Sequence, residues 1–301
     1  MADPLVSVVT GTFNKAAYVR QTVESVLAQT FSDFEYLVVD DGSTDGTREI
    51  LHAFGDRICL VEREANSGVP GIPRNQGVLA SRGKYIAFLD ADDLWDPEKL
   101  ESQVAFMEAH PEIPFSHTGC RVIDASGVEL RVRHEGALPP TGNCFKALLN
   151  HCWVTTSTVM LRRSLSEQMG GMLEDVQWRT GEDYEYYMRI AARHPMGLLE
   201  GVLASYRSQG AGESISQESC NWKGMPEYVP VLIHLLEHPE IWEGVADRED
   251  LRRALRANCL ENGYFWLEHD RKDRARWFAR TLFKHRMLEM SVFELLLKSL
   301  R

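Results

Sequence analysis

Two aspartates one residue apart directly follow an apolar segment of the chain. Asp90 and Asp92 come after residues 84–89, which read Lys-Tyr-Ile-Ala-Phe-Leu. Carboxylate oxygens are the protein ligands that Mg²⁺ and Mn²⁺ prefer, and these ions keep their remaining positions for water and phosphate. The pair therefore predicts a divalent-cation site that also holds a diphosphate. The alternative is an acidic turn that leads into a helix after Asp96 and Pro97.

Polar residues also follow two earlier apolar segments. Thr10 and Thr12 lie at the end of the first segment, and Asp41 lies directly after the second. In an open α/β sheet, ligands bind beyond the carboxyl ends of the strands. We therefore expect these side chains and the Asp90/Asp92 pair at one edge of a sheet.

The elements that must position these residues alternate between strands and helices. Short β-branched or apolar runs predict strands, and Val19, Val23 and Val26 have the spacing of an amphipathic helix. Such alternation is typical of an α/β fold with a mostly parallel, doubly wound sheet flanked by helices. The predicted strands cover residues 5–10, 34–39, 58–61, 84–89, 119–123 and 156–161, and further helices are predicted from Thr44 or Asp45, over 98–109 and over 183–193.

Composition narrows the class of protein. The 301 residues carry 33 Lys and Arg against 44 Asp and Glu, a net charge of −11, whereas nucleic-acid-binding proteins need a basic surface to neutralise phosphates. The N-terminal apolar run, residues 5–9, is shorter than a signal peptide or a membrane span. Six scattered cysteines without a Cys-x-x-Cys pair favour reduced thiols, so we expect a cytoplasmic protein.

Several short motifs follow one another along the first two thirds of the chain. They read Val6-Ser-Val-Val-Thr-Gly-Thr-Phe-Asn14, Val38-Val-Asp-Asp-Gly-Ser-Thr-Asp45, Asn66-Ser-Gly68, Arg74-Asn-Gln-Gly77, Tyr85-Ile-Ala-Phe-Leu-Asp-Ala-Asp-Asp93, Thr156-Ser-Thr-Val-Met-Leu-Arg162, Gly170-Gly171 and Gly181-Glu-Asp183. In this order and spacing they resemble glycosyltransferase family 2, the inverting nucleotide-sugar glycosyltransferases of the Rossmann-like GT-A fold. The resemblance covers about residues 5–215.

The resemblance implies a hexosyltransferase with a nucleotide-binding edge and a UDP-type donor. Asp41 matches the position that accepts a hydrogen bond from a uracil-type base, and Arg74 matches a basic residue that faces the nucleotide. By position, the implied nucleotide-binding residues are Thr10, Thr12, Asp41, Arg74 and Asp90.

The resemblance also assigns a metal pair and a base. Asp90 and Asp92 match the residues that hold Mn²⁺ or Mg²⁺, with Asp92 as the more direct ligand. Asp183 matches the carboxylate that takes the proton of the acceptor hydroxyl, and Glu182 is the alternative base. An acid that merely stabilises the N-terminus of a helix would give the same sequence pattern at this position.

Three residues are expected to border the acceptor: Trp95, Trp153 and Thr156. Trp95 fits a packing role equally well, and the segment around Trp153 would look the same as a strand that enters the core. Two positions depart from the family pattern. Gly11 stands where Pro is usual, and Gln209 stands where a His that assists metal or phosphate binding is often found, so metal affinity is expected to be weaker. Residues 210–216 are a candidate lid.

The C-terminal part is basic in an otherwise acidic chain. Residues 271–286 hold seven Lys or Arg and one acid, Asp273, with Trp277, Phe278, Leu282 and Phe283 among them. A basic amphipathic helix of this kind suits an anionic membrane surface. The interpretation that we favour here is a helix packed on its own domain with a solvated basic face, and peripheral contact of residues 271–301 with the inner membrane face is the alternative.

These observations predict a GT-A catalytic domain over residues 1–215, with a nucleotide-sugar half at about 1–95 and an acceptor half at about 96–215, and a helical region over 216–301. The acceptor is expected to be a sugar, a lipid-linked or a small-molecule hydroxyl in bacterial polysaccharide, glycoconjugate or glycosylated-metabolite synthesis. A sugar-nucleotide pyrophosphorylase would need a Gly-rich basic loop after the first strand, which residues 10–14 lack. A non-catalytic nucleotide-sugar-binding or partner-binding protein is the second alternative.

Overall fold

The computed structural model describes residues 3–133, 141–208 and 228–300. Within these ranges the strands are β1 (Val6–Thr12), β2 (Phe34–Asp40), β3 (Cys59–Glu62), β4 (Tyr85–Phe88), β5 (Leu94–Trp95), β6 (Phe115–Ile123), β7 (Glu129–Val132), β8 (Met160–Arg162) and β9 (Met196–Arg207). The helices are α1 (Val19–Leu27), α2 (Thr47–His52), α3 (Gly71–Ala80), α4 (Lys99–Ala109), α5 (Phe145–Leu148), α6 (Arg163–Met169), α7 (Glu182–Ala191), α8 (Val229–Glu237), α9 (Arg248–Glu268), α10 (Lys272–Lys284) and α11 (Met290–Leu300).

The strands form one sheet in the order β3-β2-β1-β4-β8-β6-β9-β5, with β7 added to β6. The first four strands are parallel, as the alternation of strands and helices predicted. Beyond β4 the sheet is mixed, because β8 runs antiparallel to both of its neighbours and β6 and β9 then pair in parallel. The carboxyl ends of β1, β2 and β4 therefore share one edge, since parallel neighbours end on the same side.

Valines build the core beneath this edge. Val6 and Val8 of β1 lie on one face of the sheet, and Val19 and Val23 of α1 are buried in the same cluster. On the other face, α3 lies so close to β1 that a Cβ on Gly77 would sit 2.5 Å from the Val9 side chain. Glycine at position 77 therefore lets α3 pack directly on β1.

Several predicted elements differ from those observed. Strand β6 begins at Phe115, four residues before the predicted strand at 119–123. Helix α2 begins at Thr47 after Gly46, whose φ of +94° favours glycine, so the predicted start at Thr44 or Asp45 is wrong by two or three residues. Residues 156–158 form a 3₁₀ turn instead of the first half of a strand. The turn is stabilised because both the N–H and the hydroxyl of Thr158 donate to the carbonyl of Thr155, at 2.8 and 2.7 Å.

The chain divides into two compact units. The first comprises the described residues of Met1–Cys144 and Cys152–Gly210, and the second those of Phe145–His151 and Ala211–Arg301. In the second unit a capping box between Asp247 and Asp250 begins α9. The predicted boundary at 215/216 lies outside the described residues, as do Gln209 and the lid at 210–216, so these remain predictions. None of the described helices is both long and apolar enough to span a membrane.

Candidate active site

Asp41 is held in place at the end of β2. Its backbone N–H donates to the Thr12 carbonyl at 2.8 Å, which continues the pairing of β2 with β1. Its buried carboxylate accepts from Arg63 Nε at 2.7 Å and from the Ser67 N–H and hydroxyl at 3.0 and 2.6 Å. The orientation of this acceptor is therefore fixed by three donors. Arg63 and Ser67 were not predicted as site residues, although Ser67 lies inside the quoted Asn66-Ser-Gly68 motif.

The two threonines of β1 differ in their surroundings. The Thr10 hydroxyl lies 3.0 Å from the Tyr36 hydroxyl, and both side chains are buried. A nucleotide contact from the Thr10 side chain would therefore require that pair to separate. Thr12 is also buried, but its hydroxyl has no hydrogen-bond partner among the described residues. Of the two hydroxyls, only that of Thr12 lacks a hydrogen bond within the described residues.

Arg74 bridges two acids that are far apart in the sequence. Its guanidinium donates to Asp90 Oδ1 and to Glu182 Oε1, each at 2.6 Å, and its side chain is only 11% exposed. Burial lowers the pKa of Arg74, but the charges of Asp90, Glu182 and Asp183 outweigh it and leave the pKa well above its usual value. The residue therefore stays cationic, and it joins the end of β4 to the start of α7.

Close packing brings the elements of this bridge together. A Cβ on Gly11 would sit 3.1 Å from the Pro73 side chain, so the glycine in β1 leaves room for the turn of α3 that precedes Arg74. The Asn75 side chain bonds both the N–H and the carbonyl of Met172, each at 2.8 Å. It thereby fixes the segment that leads to α7.

Asp92 is paired with a lysine that sequence reasoning missed. Lys15 Nζ lies 2.7 Å from Asp92 Oδ2, and the Lys15 backbone N–H donates to the Thr47 hydroxyl at 2.8 Å. The sequence feature that could have predicted this role is the position of Lys15 directly after the polar cluster at residues 10–14. Both members of the Asp90/Asp92 pair thus face a cationic side chain, Arg74 for one and Lys15 for the other.

The third acid of the cluster, Asp93, has a structural environment. Burial first, and then the charges of Asp92 and Asp90, raise the pKa of Asp93 well above its usual value. Its carboxyl group accepts from the Ser157 hydroxyl and from the Arg207 N–H. Ser157 also accepts from the Asp90 N–H at 3.1 Å. Asp93 therefore anchors the acidic turn to the rest of the sheet.

Arg207 supports the same turn from β9. It is 1% exposed, and its guanidinium donates to the carbonyls of Asp92 and Ala125 at 2.8 and 3.0 Å and to the Gln21 side chain at 2.9 Å. Arg207 appeared in the sequence beside the anomalous Gln209, but nothing in its local pattern predicted this role. Its effect is to fix the backbone that carries Asp92.

The two acids at the start of α7 differ in access. Asp183 is partly exposed and accepts from the Thr156 hydroxyl at 2.7 Å. Glu182 is buried against Arg74, and its Oε2 has no hydrogen-bond partner among the described residues. Burial and then the neighbouring Asp183 raise the pKa of Glu182 to about 8, although Arg74 opposes this. At neutral pH, Asp183 is therefore the acid of the two that is accessible, and Glu182 holds its proton.

The predicted acceptor residues separate into two groups. Trp95 is 4% exposed within the core, its indole N–H donates to the Ser157 carbonyl at 2.6 Å, and the Lys99 amine lies 3.8 Å from the centre of its ring. Its ring is therefore covered, and the packing alternative replaces the predicted stacking on a sugar. Trp153 is partly exposed, and Thr156 is buried at the Asp183 carboxylate. The role of both residues in binding the acceptor remains a prediction.

The acidic pair suits a divalent ion that takes few ligands from protein. Among the described residues, no group of three or more His, Cys, Asp or Glu side chains is arranged to hold a metal ion. Mg²⁺ and Mn²⁺ bound with a diphosphate need one or two carboxylates, since phosphate oxygens and water fill the other positions. Asp90 and Asp92 are the two carboxylates that would hold such an ion, in place of their present cationic neighbours Arg74 and Lys15.

Comparison with known proteins relates the chain to glycosyltransferases. A family model described as glycosyl transferase family 2 matches residues 7–170. An uncharacterised glycosyltransferase of Rickettsia bellii is 36% identical over 211 residues, 70% of this chain and 30% of that protein. TuaG of Bacillus subtilis, whose name links it to teichuronic acid biosynthesis, is 35% identical over 226 residues, 73% of this chain and 84% of TuaG. The chain spans about a third of the length of its Rickettsia relatives.

A third relative is named for a defined reaction, and two solved structures share the fold. The Escherichia coli UDP-Glc:alpha-D-GlcNAc-diphosphoundecaprenol beta-1,3-glucosyltransferase WfaP is 31% identical over 69% of this chain and 78% of WfaP. TarS residues 1–349 of S. aureus in complex with UDP gives a TM-score of 0.60 at 22% identity, over 86% of this chain and 71% of that one. The mannosyltransferase PcManGT from Pyrobaculum calidifontis in complex with GDP-Man and Mn²⁺ gives 0.60 at 18% identity, over 98% and 79%. At these identities the structural likeness concerns the fold alone.

Proposed function

The chain belongs to glycosyltransferase family 2 and is a glycosyltransferase of the GT-A fold, as its motifs predicted, and we propose that it moves a sugar from a UDP-sugar onto an acceptor hydroxyl with inversion at the anomeric carbon. One observation carries the proposal. Arg74 joins Asp90 at the end of β4 to Glu182 at the start of α7, and Asp183 is the next residue of that helix, which supports one common site for the acidic pair and the proposed base.

The nucleotide is proposed to bind at the ends of β1 and β2. Asp41 is a buried carboxylate with a fixed orientation, which suits recognition of an N–H on a pyrimidine base. The buried Thr12 hydroxyl lacks a partner among the described residues, and we propose that it bonds the nucleoside when the donor binds. WfaP is named for a UDP-sugar and TarS was solved with UDP, which supports UDP, and PcManGT, solved with GDP-Man, makes GDP the alternative nucleotide.

Asp90 and Asp92 would hold Mn²⁺ or Mg²⁺ together with the diphosphate. When bound, the ion supplies positive charge that stabilises the leaving diphosphate without a protonated acid. Arg74 and Lys15, released from their carboxylates, are cationic donors beside the same position and would bond the phosphate oxygens. Arg207 and Ser157 keep the acidic turn in place during this exchange because their bonds go to backbone atoms and to Asp93.

Asp183 is proposed as the base that takes the proton of the acceptor hydroxyl. It is partly exposed, whereas Glu182 is buried and its pKa of about 8 keeps it protonated at neutral pH. The Thr156 hydroxyl and the Tyr184 backbone N–H orient Asp183 by donating to its two carboxylate oxygens, each at 2.7 Å, and each oxygen keeps a lone pair for a substrate hydroxyl. One base on the face opposite the leaving group gives direct displacement and hence inversion.

The acceptor is proposed to be the hydroxyl of a sugar, free or linked to a lipid diphosphate, in the assembly of a bacterial polysaccharide. TuaG and WfaP support this, since the chain covers most of each. Trp153 and Thr156 would border the acceptor. A cytoplasmic location is proposed from the sequence, whose six scattered cysteines include no Cys-x-x-Cys pair.

A panel of donors tests the proposal. The purified chain is incubated with UDP-Glc, UDP-GlcNAc or GDP-Man, with and without Mn²⁺, and both thermal stabilisation and release of the nucleoside diphosphate are measured. We expect stabilisation and release with UDP-sugars in the presence of Mn²⁺. Asp92→Asn should lose both responses, while Asp56→Asn, a control at an exposed acid before β3, should keep them. A preference for GDP-Man would contradict the assignment of UDP.

The non-catalytic alternative makes a different prediction in the same assay. A protein that only binds nucleotide-sugars would be stabilised by the donor but would release no diphosphate with any acceptor. The partly exposed Asp183 beside the Arg74 bridge favours the enzyme, because a binding protein has no use for a base at that position.

A further inference from the structure

Helix α11 leaves an apolar stripe uncovered in the second unit. Its buried side is formed by Val292, Leu295 and Ser299. The adjacent side of the helix carries apolar side chains that are exposed within the described part of the chain, from 41% for Phe293 to 84% for Met290. The spacing of three, four and three residues places the stripe along one face of the helix: Met290, Phe293, Leu297 and Leu300.

Helix α10 presents a basic face with an aromatic residue on it. Phe278 and Leu282 are buried, as the packed-helix interpretation of this segment expected. On the opposite side, Trp277 is 48% exposed, and Arg280 and Lys284 follow it at helical spacing. One face of α10 therefore packs in the second unit, and the opposite face exposes Trp277 beside Arg280 and Lys284.

The two exposed faces belong to one surface. The rings of Phe283 and Phe293 pack edge to face with centroids 5.0 Å apart, and Arg276 donates to the Ser299 carbonyl at 2.9 Å. These contacts set α10 and α11 side by side and antiparallel. We call the combined face the α10–α11 surface, and its members are Trp277, Arg280, Lys284, Met290, Phe293, Leu297 and Leu300.

The charge of this surface is unbalanced. Several basic residues near it have partners: Arg271 pairs with Asp273 at 3.1 Å, and the Arg274 guanidinium lies 4.3 Å from the centre of the Trp266 ring. Within the described ranges, by contrast, neither Arg280 nor Lys284 has an ion-pair partner. Two unbalanced cations beside exposed apolar side chains match a partner that is both anionic and apolar.

We propose that the α10–α11 surface docks on an anionic lipid bilayer, with the α11 stripe and Trp277 in the interface and Arg280 and Lys284 at the phosphate headgroups. Interfacial helices bury such apolar faces at the headgroup boundary, and nearby Lys and Arg add electrostatic attraction. A symmetric contact with a second copy fits less well, because it would place the same cations opposite one another.

Vesicle sedimentation tests the proposal without any substrate. The chain is mixed with vesicles of phosphatidylcholine containing about 30% phosphatidylglycerol, or of phosphatidylcholine alone, at about 50 mM and about 500 mM NaCl, since salt screens the attraction. We expect binding to the anionic vesicles at low salt and release at high salt. Arg280→Gln with Lys284→Gln should weaken partitioning roughly 30-fold, and Arg57→Gln with Arg131→Gln, a control with the same charge change on the first unit, should not.

A second pair of variants separates the apolar from the electrostatic contribution. Trp277→Ser with Leu297→Ser should weaken binding to anionic vesicles, while Leu79→Ser, at an exposed leucine of α3, should leave it unchanged. Absence of binding to anionic vesicles at low salt would overturn the proposal. So would a wild-type dimer in sedimentation velocity that Trp277→Ser with Leu297→Ser converts to monomer without any vesicle binding, because the stripe would then serve a second copy.

Discussion

Charged side chains at the sheet edge and on the α10–α11 surface are arranged in opposite ways. At the sheet edge, Asp90 and Asp92 each have a cationic neighbour at 2.6 or 2.7 Å, and Asp41 has three donors. On the α10–α11 surface, Arg280 and Lys284 lie exposed beside uncovered apolar residues. The first region balances its charges internally, whereas the second leaves them for an outside partner.

The difference indicates how each region meets its ligand. The ion pairs at the sheet edge give each buried charge a partner, and a buried charge without a partner would be strongly destabilising. In each pair the carboxylate can later bind a cation and the basic side chain can later bind a diphosphate. The exposed cations need no such exchange, and their attraction depends on salt. Variants at the edge should therefore change chemistry and donor affinity, while variants on the surface should leave both unchanged.

The largest effect is expected for Asp183→Asn. The change removes a proton acceptor with almost no change of volume, so transfer should fall about 10²–10⁴-fold, the usual loss for a general base. UDP affinity should remain, and the free energy of unfolding should fall by only about 0.5–1.5 kcal/mol, because the Asn oxygen still accepts from Thr156 while the bond from the Tyr184 N–H is lost. Steady-state transfer kinetics and calorimetry measure the two parts separately.

Glu182→Gln is the matched control for this variant. With a pKa of about 8, Glu182 carries its proton at neutral pH, so glutamine imitates its charge and keeps an acceptor for Arg74. Transfer should change by less than about tenfold, well below the loss expected for a base. A larger loss in Glu182→Gln than in Asp183→Asn would move the base to Glu182.

A smaller effect is expected for Asp41→Ala. Loss of one buried hydrogen bond to the base corresponds to about 1–3 kcal/mol, so the donor KM should rise about 5- to 150-fold with kcat retained. The rise should be specific to donors with a uracil base. If kcat collapses while KM is unchanged, Asp41 does not recognise the base.

Lys99→Met tests what an unbalanced charge costs inside the first unit. Lys99 is buried against Trp95 without a hydrogen-bond partner in the described ranges, and burial lowers its pKa well below the usual 10.5. The Lys99 amine therefore binds its proton more tightly in the unfolded chain than in the folded one. This difference lowers the free energy of unfolding at neutral pH, and the loss disappears as the pH approaches 10.5.

Methionine keeps the stem of Lys99 without the amine. The variant should be more stable than wild type by about 1–3 kcal/mol at pH 7, with a gap that narrows as pH rises. Chemical denaturation of both proteins at several pH values gives the difference between their free energies of unfolding. The contributions of the other titrating groups are the same in both proteins and cancel in this difference. A variant that is less stable at every pH would mean that the contact of the amine with the Trp95 ring outweighs its burial.

The smallest effect is expected for Trp277→Ser. Its side chain is 48% exposed and its ring contacts Phe278 edge to face, so the free energy of unfolding should fall by about 1 kcal/mol or less. Transfer to a water-soluble acceptor should be unchanged as well. A loss above about 1 kcal/mol would show that Trp277 packs in solution and would weaken the contrast between the two regions.

The parts of the fold that follow from short apolar runs could be predicted. Strands β1, β2 and β4 match the predicted segments within two residues, because buried parallel strands are nearly continuous apolar runs. Their shared edge followed from the rule that ligands bind at the carboxyl ends of such strands. The placement of Asp90 and Asp41 at that edge needed no knowledge of tertiary contacts.

The missing parts depend on contacts between distant residues. Lys15 meets Asp92 across 77 positions, and Arg207 meets the Asp92 carbonyl across 115. No local pattern encodes such pairs. Trp95 was ambiguous because an aromatic residue after an acidic turn fits a sugar platform and a core position equally well, and its burial depends on α4 and on the 3₁₀ turn at residues 156–158.

Calorimetry of UDP binding tests the central claim most directly, namely that the acidic pair exchanges its internal cations for a metal ion and a diphosphate. The wild-type chain should bind UDP much more tightly with Mn²⁺ than without it. Asp92→Asn should remove the metal-dependent part while leaving the thermal stability within about 1 kcal/mol, because the Arg207 bond goes to the backbone carbonyl of residue 92. Equal UDP affinity with and without Mn²⁺ in the wild type, or unchanged metal dependence in Asp92→Asn, would contradict the account.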